Sequence, residues 1–279
     1  MPELPEVETI VRALRLGGRD GPSITGWTLV GARILWGRTL AEPSEIEFLQ
    51  HIPDQVVQDV GRRGKFIFLR LSRDYLIFHL RMSGDLRVER DVNEHGDYLE
   101  LSSHDRFVIT FNNGYRLVFC DARKFGRVWL VDNPETIFAS LGPEPLDSNL
   151  TPRDLYRRLQ QHHRQLKPLL LDQSFLAGLG NIYSDEVLHL ARLHPLQPAH
   201  TLSEDDAATL LSAIQKVLEE GIHNNGASID WVYRGGNFQN NFRVYQRTGK
   251  PCVNCGSYIE RITVGQRGTH YCPHCQSLR

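Results

Sequence analysis

No stretch of this 279-residue chain is apolar over the roughly 18 to 20 residues that a membrane-spanning helix needs, which argues against a helical membrane protein. The opening Met1-Pro2-Glu3-Leu4-Pro5-Glu6 is acidic where a secretory signal would be basic, so an intracellular, cytoplasmic protein is expected. An excess of one charge is missing too: 32 Lys and Arg face 33 Asp and Glu, for a formal net charge of −1. That balance excludes only a uniformly basic surface, because nucleic-acid binding depends on where charge sits. From Ala227 onward, Arg234, Arg243, Arg247, Lys250, Arg261, Arg267 and Arg279 are opposed by Asp230 and Glu260 alone. Such a local excess suits phosphate, although a solvated basic terminus would read the same way.

Cysteine is scarce, with five in all, yet four of them fall within the last 28 residues. In a reducing compartment this disfavours a disulfide framework. Cys252, Cys255, Cys272 and Cys275 form two C-x-x-C pairs separated by sixteen residues, a strong zinc signal. Each pair puts two thiolates on one tight turn, and a hairpin between the turns brings all four into the tetrahedron that Zn²⁺ prefers. So short a hairpin has little apolar surface of its own, so the metal supplies its folding energy. His270 and His274 are possible substitutes, but four thiolates already fill the site. Cys120, in the run Leu117-Val118-Phe119-Cys120, is expected in the core.

The 41% hydrophobic content is enough for one large domain or two ordinary ones. Glu3 to about Leu16 is predicted helical: Pro5 suits a first turn, and Val7, Ile10, Val11 and Leu14 share one face. From Trp27 to about Val131 the pattern changes to short strand-like runs, such as Lys65–Leu71, Tyr75–His79 and Phe107–Phe111, with Asn112-Asn113-Gly114 as a hairpin turn. The proline-rich 134–150 stretch, without helical period, is predicted to be a linker. A helical domain then opens at the cap-like Thr151-Pro152-Arg153-Asp154 and stops near Gly221. No internal repeat or low-complexity segment is present.

Pro2-Glu3-Leu4-Pro5-Glu6-Val7-Glu8-Thr9 resembles the N-terminal signature of the formamidopyrimidine-DNA glycosylases. Also in that family's order are His79-Leu80-Arg81-Met82-Ser83-Gly84, Asp121-Ala122-Arg123-Lys124-Phe125-Gly126, Leu141-Gly142-Pro143-Glu144-Pro145-Leu146, Gly178-Leu179-Gly180-Asn181-Ile182-Tyr183 and the paired C-x-x-C. The resemblance covers essentially the whole chain. It implies an α+β fold: an N-terminal β-sandwich bearing the catalytic helix (1–133), a linker (134–150), a helix–two-turns–helix domain (151–227), a lesion-recognition loop and connector (228–250) and a zinc finger (251–279). It further implies a monomeric, bacterial-type, nucleoid-associated repair enzyme that takes damaged double-stranded DNA as partner and one structural Zn²⁺ as cofactor. Its reaction would be excision of oxidised purines, 8-oxoguanine and formamidopyrimidines, followed by β,δ-elimination that leaves a one-nucleotide gap.

With Met1 removed, Pro2 exposes a secondary amine. An α-amino group titrates well below a lysine, so a useful fraction is neutral near pH 7 and condenses to an iminium without separate activation. Glu3 and Glu6, three residues apart, can face that amine, although acidic residues also simply complement a helix N-terminus. By resemblance Glu3 is the acid/base at the sugar, which asks for a partly desolvated carboxyl. Lys65 matches a lysine serving β-elimination and holding phosphate, and Arg267 matches the hairpin arginine that grips phosphate for δ-elimination.

Extruding a base leaves a gap in the stack that something must fill. Met82, the one internal methionine, matches the family's void-filling trio together with Arg123 and Phe125, although core positions would be the ordinary reading of Met82 and Phe125. Asn181 stands at a glycine-rich turn into a helix, where backbone N–H groups point at an anion, and it resembles the family's phosphate clamp. His104 matches a DNA contact and Lys167 a lysine near the lesion.

The chain departs from the family pattern at Arg81, where glycine is common, at Ala122 for proline, and at Lys124 for a second arginine. It departs also in the His162-His163-Arg164 stretch and in the 233–241 loop, which leaves base preference open. Two rivals remain: an endonuclease VIII-like glycosylase for oxidised pyrimidines, disfavoured by Leu4, Met82 and the Arg123–Phe125 pair, and a non-catalytic zinc-hairpin DNA-binding protein, which would not need Pro2, Glu3, Glu6, Lys65 and Arg267.

Overall fold

The computed structural model describes residues 1–18, 21–92, 97, 99–228 and 235–278, so that part of the expected recognition loop, 229–234, lies outside the described residues. The chain divides into two compact units, one made of 1–2, 6–139 and 228–235, the other of 3–5, 140–227 and 236–279.

In the first unit, α1 (Leu4–Leu16) buries Val7, Ile10, Val11 and Leu14 on the face their spacing requires. It ends where Gly17, at φ 80°, returns its N–H to the Ala13 carbonyl at 2.9 Å. Two sheets share the core with it. The strands are β1 (Leu29–Ile34), β2 (Leu40–Glu42), β3 (Val57–Arg63), β4 (Phe66–Leu71), β5 (Tyr75–His79), β6 (Gly84–Arg90), β7 (Asp105–Phe111), β8 (Tyr115–Asp121) and β9 (Arg127–Val131). One sheet has the order β1-β7-β8-β6 and the other β2-β9-β5-β4-β3. Inward residues of both, Leu69, Leu76 and Phe78 on one and Phe107, Ile109 and Phe119 on the other, fill the space between them.

Three readings need correction here. A short helix, α2 (Glu45–His51), interrupts the strand-rich region, started by a capping box between Ser44 and Glu47 and held down by Phe48. The 134–150 stretch is not wholly irregular, for α3 (Glu135–Phe138) forms in it and Phe138 packs on Phe66 at 5.7 Å. Cys120 is only half-buried, because strand alternation gives the core position to Phe119.

The second unit holds α4 (Pro152–Gln160), α5 (Leu166–Leu170), α6 (Asn181–Leu190), α7 (Glu204–His223) and a terminal hairpin of β10 (Glu260–Val264) and β11 (Arg267–Tyr271). Thr151 caps α4 through a reciprocal bond with Asp154, with Pro152 in the first turn. Ser203 and Asp206 do the same for α7. α6 is different: every residue from Ile182 to His189 is buried, two carboxylates and an imidazole included. A helix buried all round needs a partner for each of those groups.

Candidate active site

The partners of α6 organise the second unit, to which Glu3 belongs. Glu3 is 2% exposed and its carboxylate sits on the N-terminus of α6, where Ile182 and Tyr183 donate their backbone N–H groups to Oε1 and Oε2 at 3.0 and 3.3 Å. The next residue, Leu4, donates its N–H to the Gly178 carbonyl at 3.1 Å. Both glycines of the turn are required. A Cβ on Gly180 would lie 2.3 Å from Glu3 Cδ, and Gly178, at φ 100°, leaves its Cβ position to the Leu4 side chain. The anion that this helix terminus holds is therefore the chain's own carboxylate. Asn181 turns its side chain elsewhere: Nδ2 donates to the Gly268 carbonyl in the hairpin at 3.2 Å, while Oδ1 is buried without a partner among the described residues.

Lys167 is fully buried. Its ammonium pairs with Asp185 on α6 and donates to the Asn181 carbonyl at 3.2 Å. Burial lowers its pKa, opposed by the charges of Asp185 and Glu3, and Arg267 pushes the same way as burial. Asp185 also accepts from the backbone N–H of His270 at 2.9 Å, joining α6 to β11, the strand that begins at the exposed Arg267. The next carboxylate, Glu186, accepts three successive backbone N–H groups, of Arg243, Val244 and Tyr245, at 2.8, 2.9 and 2.8 Å. Burial raises the Glu186 pKa against those bonds. The described end of the expected recognition loop is held from the same helix, with Phe238 stacked on Tyr183 at 5.2 Å.

In the first unit Pro2 and Glu6 are buried, as is Lys65, 5% exposed at the turn between β3 and β4. The expected wedge residues are on the surface. Met82 is 41% and Phe125 52% exposed, too open for core positions, and Arg123 Nη1 lies 3.7 Å from the Met82 sulfur. Asp121, which sequence reasoning passed over, binds the two turns together. It accepts from the Ser83 hydroxyl, from the Arg123 N–H at 3.2 Å and from the Gly126 N–H at 2.7 Å. His104 is exposed, and its carbonyl accepts the Asp121 N–H at 2.8 Å. Arg81 and Lys124 both adopt positive φ, 54° and 61°, and Lys124 lies 4.0 Å over the Trp36 ring.

The four hairpin cysteines bring their sulfurs within 4.8 Å of one another. Cys252 and Cys275 are 3.9 Å apart, Cys255 and Cys272 3.5 Å. A tetrahedral four-thiolate zinc with bonds of about 2.3 Å has sulfur–sulfur edges of about 3.8 Å, so the donor set fits the metal. Hydrogen bonds from Ser257 bring the Cys255 thiol down to about 6, whereas burial pushes the Cys272 and Cys275 thiols up, so those two need the metal's charge to ionise. One contact was not foreseen: His189 Nε2, on α6, is 3.3 Å from Cys252 Sγ. Burial first, then the charges of Arg243, Arg192 and Arg247, lower the pKa of that imidazole.

Fold and site together define a class: an α+β protein with a β-sandwich unit and a helical unit, the latter carrying a four-thiolate zinc hairpin and a helix N-terminus that receives the glutamate at position 3. Residues 1–128 match the formamidopyrimidine-DNA glycosylase N-terminal domain, 141–232 the H2TH domain of the same enzymes, and 249–278 the zinc finger found in FPG and IleRS. The chain belongs to the formamidopyrimidine-DNA glycosylase family.

It is 44% identical to the formamidopyrimidine-DNA glycosylase of Chloroflexus aurantiacus, over 99% of this chain and 98% of that one. It is 40% identical to that of Pelotomaculum thermopropionicum over the whole of both. A solved complex of Lactococcus lactis Fpg with DNA containing N7-benzyl-Fapy-dG has a TM-score of 0.88 at 32% identity, and MutM in complex with carbocyclic 8-oxo-G DNA 0.88 at 33%. Each covers 99% of this chain and 100% of its own. Among the described residues no helix is long and apolar enough to cross a membrane.

Proposed function

We infer that this chain is a base-excision-repair DNA glycosylase and abasic-site lyase that removes oxidised purines from duplex DNA, with Pro2 as nucleophile. The observation that carries the reading is the proline at position 2 followed at once by a carboxylate that two backbone N–H groups hold fixed. After loss of Met1, the Pro2 nitrogen attacks C1′ of the damaged nucleotide, a C–N bond forms, and the bond to the base breaks. The base leaves with the electron pair and takes a proton from solvent, while the Pro2 N–H proton passes to the Glu3 carboxylate, which gives it to O4′ as the C1′–O4′ bond opens to the iminium. The iminium acidifies C2′, so loss of that proton expels the 3′ phosphate, and a second elimination expels the 5′ phosphate.

Lys65 and Arg267 hold phosphate in this scheme, with Lys65 serving the first elimination and Arg267 the second, while Glu6 supports the charge at the nucleophile. Met82 and Phe125 wedge into the stack with Arg123 on the orphaned base, supported by their shared exposure and by the Asp121 tie. His104 and Asn181 are assigned to DNA contact, and the buried Lys167 acts near the lesion through its hold on Asp185 and the Asn181 carbonyl. The zinc hairpin presents Arg267, and the enzyme acts as a cytoplasmic monomer.

The test is borohydride reduction of protein with a verified Pro2 terminus in the presence of 8-oxoguanine duplex. A covalent protein–DNA adduct is expected, and Pro2→Gly should slow base excision sharply. Absence of any adduct, or full activity with the terminal nitrogen blocked, overturns the reading.

A further inference from the structure

The geometry points to His189 as an outer-sphere hydrogen-bond donor to the Cys252 thiolate of the zinc centre, fastening the metal to α6. His189 lies in the last turn of α6 with no exposed surface, and Cys252 is 4% exposed. Their Nε2 and Sγ atoms are 3.3 Å apart across 63 residues of sequence. A neutral imidazole carries one N–H, so the sulfur decides which nitrogen bears it. With the proton on Nε2, the N–H points at a thiolate. With the proton on Nδ1, two lone pairs would face each other at the sulfur and a buried N–H would have no acceptor, since Nδ1 has no partner among the described residues. The first arrangement leaves only a buried acceptor unfilled, the smaller penalty.

The charge of the centre supplies the reason for such a donor. Four thiolates on Zn²⁺ leave two excess negative charges, and hydrogen bonds to sulfur disperse them. Asn254 donates its N–H to Cys252 Sγ and Cys275 to Cys272 Sγ, both at 3.4 Å. His189 adds a side-chain donor to Cys252 from outside the hairpin. It is also four residues from Asp185, which accepts the His270 N–H, so one face of α6 grips the hairpin both at its first knuckle and on β11. The N-terminus of that helix holds Glu3. Metal retention and the seating of α6 are thereby linked through a single side chain.

The test compares His189→Phe, which keeps a ring but no donor, with His189→Gln, which returns an N–H to the same region. Zinc release from the full-length protein to an excess of chromogenic chelator is the readout. His189→Phe should release zinc at least about ten-fold faster, the lower end of the loss expected for an outer-sphere partner, with His189→Gln in between. Release from His189→Phe at the parent rate overturns the proposal. On the unaltered protein, loaded with ¹¹³Cd²⁺, ring ¹⁵N spectra should place the His189 proton on Nε2, with coupling to the metal across the sulfur. A proton on Nδ1, or a cadmium shift for three sulfurs and one nitrogen, which would make His189 a direct ligand, also overturns it. This measurement decides the matter even where His189→Phe does not fold.

Discussion

The carboxylate of Glu3 accepts the backbone N–H of Ile182 at 3.0 Å, joining positions 179 residues apart. The same group is asked to hold a helix terminus and to serve the sugar as an acid/base, and one substitution separates the two demands. Glu3→Gln keeps one oxygen for Ile182 or Tyr183 but turns an amide N–H toward the other N–H. Losing a charged acceptor there costs about 1 to 3 kcal/mol. Base excision should fall by about two orders of magnitude or more, beyond what lowered stability explains. Single-turnover excision beside denaturant melts checks this, and near-parent excision removes Glu3 from the chemistry.

Gly180→Ala should damage the same contact from the other side. The added methyl would lie 2.4 Å from Glu3 Oε1, closer than any carbon and oxygen tolerate, so either the carboxylate or the start of α6 must move. Excision is expected to drop at least ten-fold while lesion-duplex affinity changes far less. Gly249→Ala, at an open position with φ 74°, is the control for backbone strain alone, with parent-like excision expected.

Asp121→Asn tests the tie between the wedge turns. Both carboxylate oxygens accept, one from Ser83 and Arg123 and the other from Gly126, so an amide at this buried place must aim N–H at N–H. A stability loss of about 2 kcal/mol is expected. Affinity for lesion duplex should weaken at least ten-fold, because Met82 and Arg123 no longer keep their spacing. Melting curves with fluorescence anisotropy measure both, and unchanged affinity would show that the turns hold themselves in place.

Much of this was legible from local pattern. The buried stripe of α1, the cap at Thr151 and the four zinc thiolates are each carried by residues within a short window. What stayed hidden depends on distant partners. The turn at Gly178 and Gly180 read as an anion site, and nothing nearby in sequence says that the anion is Glu3. Asp185, Glu186 and His189 are ionisable residues in a helix that also carries Ile182, Val187 and Leu188, a signal that they have partners, but those partners lie 18 to 85 residues away. The helix at 45–51 escaped because its apolar anchor, Phe48, is a single residue amid strands, although the Ser44–Glu47 capping box was there to be read.

His79 should make the wedge turn acid-sensitive. Its Nδ1 accepts the Arg81 N–H at 3.0 Å, which requires a neutral ring. Burial first, then the charges of Arg81 and Lys65, lower its pKa to about 3 from an unfolded value of about 6.5. Between those values the unfolded chain binds the proton and the folded one does not, so this group's contribution to stability is complete above pH 6.5 and is lost as pH falls toward 3. Two pH units within that window correspond to about 2 to 3 kcal/mol. Urea melts of parent and His79→Phe at pH 6.5 and 4.5 isolate the effect, because the variant's lost acceptor shifts its curve by a constant while removing this slope. The parent should lose about 2 to 3 kcal/mol more than the variant over the interval, and parallel curves would place the His79 proton elsewhere. Protonation also takes the acceptor from Arg81, the residue before Met82, so affinity for lesion duplex should decline in the same acid range and do so less in the variant.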